Sequence, residues 1–151
     1  FLKNTGDINN IELSSQILET IFFKNSPLHD GAVIIKGNSI VASRVVLPVS
    51  DTDKIPKRLG LRHRAGIGIM EKTDALAIVI SEQRGKITYI KDGEFDEDIS
   101  FQKLKSQIKK DLSLKFYFYP FSIENRVNLY KYLFYLITYY DFQIQQFFLY
   151  P

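Results

Sequence analysis

Three short stretches of this sequence carry residue types that do chemistry. The first is Leu28-His29-Asp30-Gly31-Ala32, just before the apolar run Ala32-Val33-Ile34-Ile35. An acid at the mouth of a strand, followed by glycine, lets a ligand lie close to the backbone. Asp30 there can bind a divalent cation or orient a hydroxyl. The plainer reading is a turn at Asp30-Gly31 with His29 as a loop residue, and pattern alone favours it. The second stretch is Arg62-His63-Arg64, with Lys54, Lys57 and Arg58 upstream: five cations and a histidine within eleven residues. Arginine offers planar, bidentate geometry to phosphate oxygens, and Gly60 and Gly66 on either side allow a tight bend around an anion. The same residues also read as a solvated basic face. The third is Ile80-Ser81-Glu82, at the end of the most apolar run. Ligands of open α/β sheets gather at the carboxyl ends of strands, so Glu82 is placed to give a metal a second carboxylate. Ser-Glu-Gln-Arg-Gly also reads as a polar turn, which pattern slightly favours.

The elements that must position these residues follow from hydrophobic period and turn chemistry. Apolar residues at helical spacing predict a helix over Ile11–Lys24, stopped near Pro27. Gly31–Lys36 and Ile40–Leu47, separated by Gly37-Asn38, predict a hairpin. Asp51–Gly60 is polar, holds Pro56 and predicts a loop entering a short helix; pattern does not settle whether Ala65–Met70 continues it. Ala75–Ile80 reads as a buried strand and Lys86–Lys91 as an alternating one, with Glu82–Gly85 as the turn between them. Asp98–Leu112 reads as an amphipathic helix. The sum is an α/β domain with a mixed central β-sheet flanked by helices.

Aromatic residues divide the chain in two. Fifteen of the 21 lie in Phe116–Tyr150, whereas all eight glycines lie between Gly6 and Gly93. The expected organisation is therefore a domain over residues 1–112 and an aromatic tail over 113–151. Within the tail, Arg126–Tyr140 predicts a helix with Tyr130, Leu133, Phe134 and Ile137 on one face. It reads as a packing helix, as a membrane-surface helix, or, with its aromatic density, as a segment foreign to the domain arising from a shifted reading frame.

Composition excludes several classes. The 151 residues suit one domain, and 45% hydrophobic with 25% charged residues are ordinary globular values. With no cysteine there is no disulfide framework, thiolate nucleophile or thiolate metal site. A net charge of +3 does not call for a nucleic-acid partner. Two histidines leave no Ser-His-Asp arrangement, and no glycine-rich loop ends in the lysine of a P-loop. No apolar stretch approaches the ~20 residues that span a bilayer. The opening Phe1-Leu2-Lys3 has no initiator methionine, so a trimmed or partial chain is expected.

Taken together, the stretches resemble the diadenylate cyclase family. Ser26-Pro27-Leu28-His29-Asp30-Gly31-Ala32-Val33-Ile34 is similar to its Asp-Gly-Ala motif, and Leu59-Gly60-Leu61-Arg62-His63-Arg64-Ala65 to its Arg-His-Arg motif. Val46-Leu47-Pro48, Thr73-Asp74, Val79-Ile80-Ser81-Glu82 and Asn4-Thr5-Gly6 match further segments in kind and order, from Phe1 to about Leu112. The resemblance implies condensation of two ATP molecules into cyclic di-AMP with release of two pyrophosphates. Asp30 would coordinate Mg²⁺ or Mn²⁺ and activate the ribose 3′-hydroxyl. Arg62, His63 and Arg64 would hold the triphosphate. Gly31 and Ala32 would let the nucleotide lie on the backbone, and Leu47 with Val46 would pack on adenine. Leu61, Ala65, Thr73 and Ser81 would complete the ATP site, with Glu82 on the metal. The product joins two nucleotides, so a face-to-face homodimer is implied. Cytoplasmic placement at the inner membrane face is implied too, with membrane contact only through a segment outside this chain. Leu61 stands where many members have threonine, and Gln83 where a second acid is common. The alternative is a nucleotide-binding module of the same fold that does not turn over.

Overall fold

The computed structural model describes residues 5–53, 55–81, 84–117 and 132–136. Strand β1 (Asp7–Glu12) leads to helix α1 (Ser15–Phe22), then to the hairpin of β2 (Ala32–Lys36) and β3 (Ser39–Val45). Helix α2 (Leu61–Met70) follows, then β4 (Leu76–Ile80), β5 (Ile87–Lys91), β6 (Glu94–Ile99), helix α3 (Phe101–Tyr117) and β7 (Tyr132–Leu136). The strands form one sheet in the order β1-β3-β2-β7-β4-β5-β6. Every pairing is antiparallel except β4 with β7. This is the expected α/β fold with a mixed central sheet.

Burial explains the order. β2 and β4 are apolar on both faces: Val33, Ile34, Ile35, Ala77, Ile78 and Val79 are all at most 2% exposed. Strands buried on both sides belong inside a sheet covered on two faces. The two cores are separate. One lies beneath α2 and joins Ile34, Ala42, Leu47, Ile55, Leu59, Ile67, Ile69 and Val79. The other lies beneath α1 and α3 and joins Leu18, Ile21, Phe22, Val33, Ile35, Ile78 and Leu104. The edge strand β6 (Glu-Phe-Asp-Glu-Asp-Ile) carries four acids, which discourage pairing with another sheet edge.

The hairpin, the loop before α2 and the strands β4 and β5 lie where the sequence places them, and the structure settles that Ala65–Met70 continues the helix. Three elements differ. Ile11 ends a strand rather than opening a helix, because Ile11 pairs with Ile40 across β1 and β3. The helix starts only after Ser14, whose hydroxyl accepts from the Ile17 N–H at 3.3 Å, a standard N-cap. Asp98 and Ile99 belong to β6, and Ser100 rather than Asp98 precedes α3. Its hydroxyl accepts from the Lys103 N–H at 3.2 Å. Residues 132–136, inside the helix expected at Arg126–Tyr140, form a strand instead. Tyr-Leu-Phe-Tyr-Leu is strand-prone, and pairing on both sides decides the outcome. The boundary expected at Leu112 falls within α3, and the remainder of the tail lies outside the described residues.

Helix α3 is tied down by a polar group. The Tyr89 hydroxyl donates to Asp111, and Lys91 donates to the same carboxylate at 2.5 Å. Burial favours the neutral carboxyl of Asp111, but the bonds from Lys91 and Tyr89 outweigh it and hold the acid below its usual range.

Candidate active site

The sheet register gathers most of the expected residues at one edge. Val33 on β2 is opposite Tyr135 on β7, and Tyr135 is opposite Ile78 on β4. Asp30 lies just before β2 and Ser81 just after β4. β2 and β4 run in opposite directions, so the entrance of one and the exit of the other share an edge. One strand separates β2 from β4, so these two strands run about 10 Å apart, two inter-strand distances. Ala32 pairs with Val45, so Val46 and Leu47 also leave the sheet at this edge.

The Asp30 turn is built locally. The backbone N–H of Leu28 donates to the Ser26 hydroxyl at 3.2 Å, and the His29 N–H donates to the Ser26 carbonyl at 3.3 Å. His29 Nδ1 lies 2.6 Å from that carbonyl, so its ring holds the turn. Asp30 is exposed at the tip. Gly31 has φ +119°, and a Cβ there would sit 2.7 Å from the Arg44 carbonyl carbon. Arg44 lies at the β3 bulge, with φ +55°. Only glycine fits where these backbones cross. The glycine therefore serves the fold as well as any ligand. Ala32 is buried, so it offers a ligand backbone only.

Helix α2 brings the arginines to the same edge. Gly60 is its extended N-cap, without a side-chain cap, and the first turn holds no acid. Two arginines therefore flank the positive end of a helix dipole, a placement that costs stability unless an anion binds. The Arg64 guanidinium donates to the Ser50 carbonyl at 3.1 Å, and the Ser50 N–H donates back to the Arg64 carbonyl at 3.0 Å. The helix presses on this loop so closely that a Cβ at Gly68 would lie 2.2 Å from the Pro48 carbonyl oxygen. Gly66 is not a bend: it sits buried in the helix, against Val79 and Ile90.

His63 points inward. Its Nε2 lies 3.2 Å from the Thr88 hydroxyl on β5. Burial pushes the imidazole below its ordinary pKa and Arg84 adds to this, while Glu97 pulls the other way. The ring is therefore neutral near pH 7, and it pins the arginine-bearing turn to the sheet. Thr88, only 3% exposed, is a site residue that sequence reasoning missed. The signal was a threonine on the alternating strand, opposite Val79 in the β4–β5 pair.

The remaining residues divide clearly. Val46 and Leu61 are 66% and 73% exposed, free to pack on an apolar ligand, whereas Leu47 is spent in the core. Ala65 is half-buried within α2. Ser81 is half-buried in a turn closed by its own N–H and carbonyl, to Lys86 and Gly85. Thr73 lies at the opposite end of α2, beyond the start of β4. Its hydroxyl donates to the Ile69 carbonyl at 2.8 Å and accepts from the Ala75 N–H at 3.2 Å. Glu82 lies outside the described residues. Among the described residues no three His, Cys, Asp or Glu converge on a metal position. An ion delivered with nucleotide phosphates needs only one or two carboxylates, and exposed Asp30 suits that role.

The chain is similar to known proteins over most of its length. Residues 1–95 match the DAC family, described as the nucleotide-binding part of the DisA bacterial checkpoint controller. A diadenylate cyclase of Listeria monocytogenes is 49% identical over 108 residues, covering 72% of this chain and 40% of that protein. The cyclic di-AMP synthase CdaA of Bacillus subtilis is 43% identical over 107 residues, covering 71% of this chain and 39% of that protein. The chain thus spans about two fifths of these relatives. The crystal structure of a DacA double mutant from Staphylococcus aureus superposes with a TM-score of 0.69 at 40% identity, over 72% of this chain and 73% of that one.

Proposed function

The chain belongs to the DAC family, and from that premise we propose that it condenses two ATP molecules into cyclic di-AMP and two pyrophosphates. The reading is supported above all by the convergence of Asp30, Ser81 and the arginine-bearing start of α2 on one sheet edge. The uncapped helix start, Arg62 and Arg64 bind the triphosphate and stabilise charge on the departing pyrophosphate. Val46 and Leu61 supply exposed apolar surface for the base. Asp30 orients the ribose 3′-hydroxyl and takes its proton. Asp30, with Glu82, would also hold Mg²⁺ or Mn²⁺, which when bound neutralises phosphate charge.

The stoichiometry dictates an assembly. One edge binds one ATP, yet the product contains two 3′–5′ bonds. Two copies facing each other bring each 3′-hydroxyl to the other's α-phosphate, and symmetry makes the two attacks equivalent. Anchoring at a membrane would fall to a segment outside this chain; among the described residues no helix is long and apolar enough to cross one.

The test is incubation of the purified chain with ATP and Mn²⁺ or Mg²⁺, followed by chromatography and mass spectrometry for cyclic di-AMP. Product that vanishes in Asp30→Asn, with circular dichroism unchanged, is the expected outcome. ATP binding without product would instead favour a nucleotide-binding module, and full activity of Asp30→Asn would remove Asp30 from the mechanism.

A further inference from the structure

We infer that Glu71, acting through Ser50, is a positioning residue for Arg64: together they hold the Arg64 guanidinium in the direction in which it meets phosphate. This role rests on the reading of the arginine-bearing edge as the ATP site.

The residues concerned share one face of α2. Arg64, Gly68 and Glu71 stand at i, i+4 and i+7, which a helix lays in one row. The chain after β3 runs along that row. A Cβ at Gly68 would lie 2.2 Å from the Pro48 carbonyl oxygen and 2.8 Å from the Ser50 nitrogen, so loop and helix meet backbone to backbone. Ser50 is 2% exposed there. Buried polar groups need partners, and Ser50 finds them at both ends of the row. Its N–H donates to the Arg64 carbonyl at 3.0 Å, and its carbonyl accepts from the Arg64 guanidinium at 3.1 Å. Its hydroxyl donates to Glu71 Oε1 at 2.7 Å and accepts from the Thr52 N–H at 3.4 Å.

The guanidinium is a rigid planar fork on a flexible stem. Anchoring one N–H at the Ser50 carbonyl therefore fixes the direction of the others. That carbonyl is only as well placed as Ser50 itself, and the bond to Glu71 is the one that holds the Ser50 side chain to the far end of α2. Glu71 lies about 10 Å from Arg64 along the helix axis, so it acts on phosphate only through Ser50 and Arg64. The sign of its effect is diagnostic. A carboxylate near an ATP site repels the polyanion, so on charge alone its removal tightens binding. Positioning requires the reverse.

The test is ATP affinity by isothermal titration calorimetry in Mg²⁺ buffer, with helical circular dichroism as the check on folding. Glu71→Ala and Ser50→Ala are each expected to weaken ATP binding about three- to tenfold. Glu71→Gln keeps the accepting oxygen and is expected to bind as the parent chain does. In an Arg64→Ala background, Glu71→Ala is expected to cost nothing further. If Ser50→Ala loses its helical signal, Glu71→Ala carries the test, since Glu71 is exposed. ATP affinity that is unchanged or tighter in Glu71→Ala, even with a lowered Tm, overturns the positioning role and leaves a loop tie alone. So does a full loss that persists in the Arg64→Ala background. A parent chain that binds neither ATP nor inorganic triphosphate refutes the ATP-site reading, and this role with it. Triphosphate binding without ATP binding refutes the nucleotide reading alone, and the same series read with triphosphate then decides the role of Glu71.

Discussion

Replacing Thr88 with valine isolates the contact that fixes the arginine-bearing turn. Valine keeps the shape and removes the hydroxyl, so His63 Nε2 loses its partner at 3.2 Å. Thr88 is almost wholly buried and His63 half-buried, so water replaces the lost bond poorly. A lost hydrogen bond of this kind costs about 1–2 kcal/mol. For a chain of this size that is a fall in Tm of roughly 2–8 °C. Differential scanning calorimetry at pH 7.5 measures it, with Thr88→Ser as the rescue. The same contact has a pH signature. Burial holds the folded His63 pKa below its unfolded value, so on acidification the unfolded chain takes up the proton first. The corresponding stability is present above about pH 6.5 and is lost as pH falls toward the lower, folded pKa. His63→Asn should flatten that part of the stability profile. If Thr88→Val leaves Tm, the acid-side profile and the ATP turnover rate unchanged, the imidazole does not anchor α2, and the account of the site loses its hinge.

Gly31→Ala should destabilise the fold by about 2–5 kcal/mol, since φ +119° is strained for alanine and its Cβ would overlap the Arg44 backbone; urea denaturation checks this. Arg64→Ala should weaken ATP binding by about tenfold or more, through loss of a charge-assisted phosphate contact, and unchanged affinity by calorimetry would make Arg64 a tether for the Ser50 loop alone. Asp111→Asn should lower stability at neutral pH by about 1–3 kcal/mol, because Lys91 and Tyr89 lose an ionised partner. The wild-type advantage should disappear as pH falls from about 4 through the depressed Asp111 pKa, since that stability exists only while the carboxylate is charged.

Local pattern made much of this structure legible. The β2–β3 hairpin, β4 and β5 follow from apolar runs punctuated by Gly and Pro, whereas pattern left the extent of the helix carrying Arg62-His63-Arg64 open. The stretches containing Asp30 and Arg62 stood out by charge beside glycine, but pattern alone favoured a turn for the first and fitted a solvated basic face for the second. What stayed hidden depended on partners distant in the chain. Ile11 sits at helical spacing from Ile17 and Leu18, yet pairing with Ile40 takes it into a strand. β6 is too acidic for its period to register, and its position against β5 makes it a strand. β7 lies in a segment with helical periodicity, and only the two strands beside it make it extended. Thr88 became a site residue only once α2 was laid across β5. Gly66 was read as a bend but proved to be a packing contact, because residue type does not say which neighbour needs the space.

The central strand also has a consequence for how the protein is made. Ile34 and Phe134, neighbours in the finished sheet, are 100 residues apart in the chain. At ~5–20 residues per second, a ribosome takes about 5–20 seconds to travel between them. During that interval the β1-β3-β2 and β4-β5-β6 halves can each form before β7 is available to pair with β2 and β4. β2 and β4 are apolar strands, and open apolar edges invite pairing between nascent chains. High contact order here puts the last-made of the described strands at the middle of the sheet. Yield in the cell should therefore respond more to translation speed and chaperone supply over this stretch than to the equilibrium stability of the finished domain.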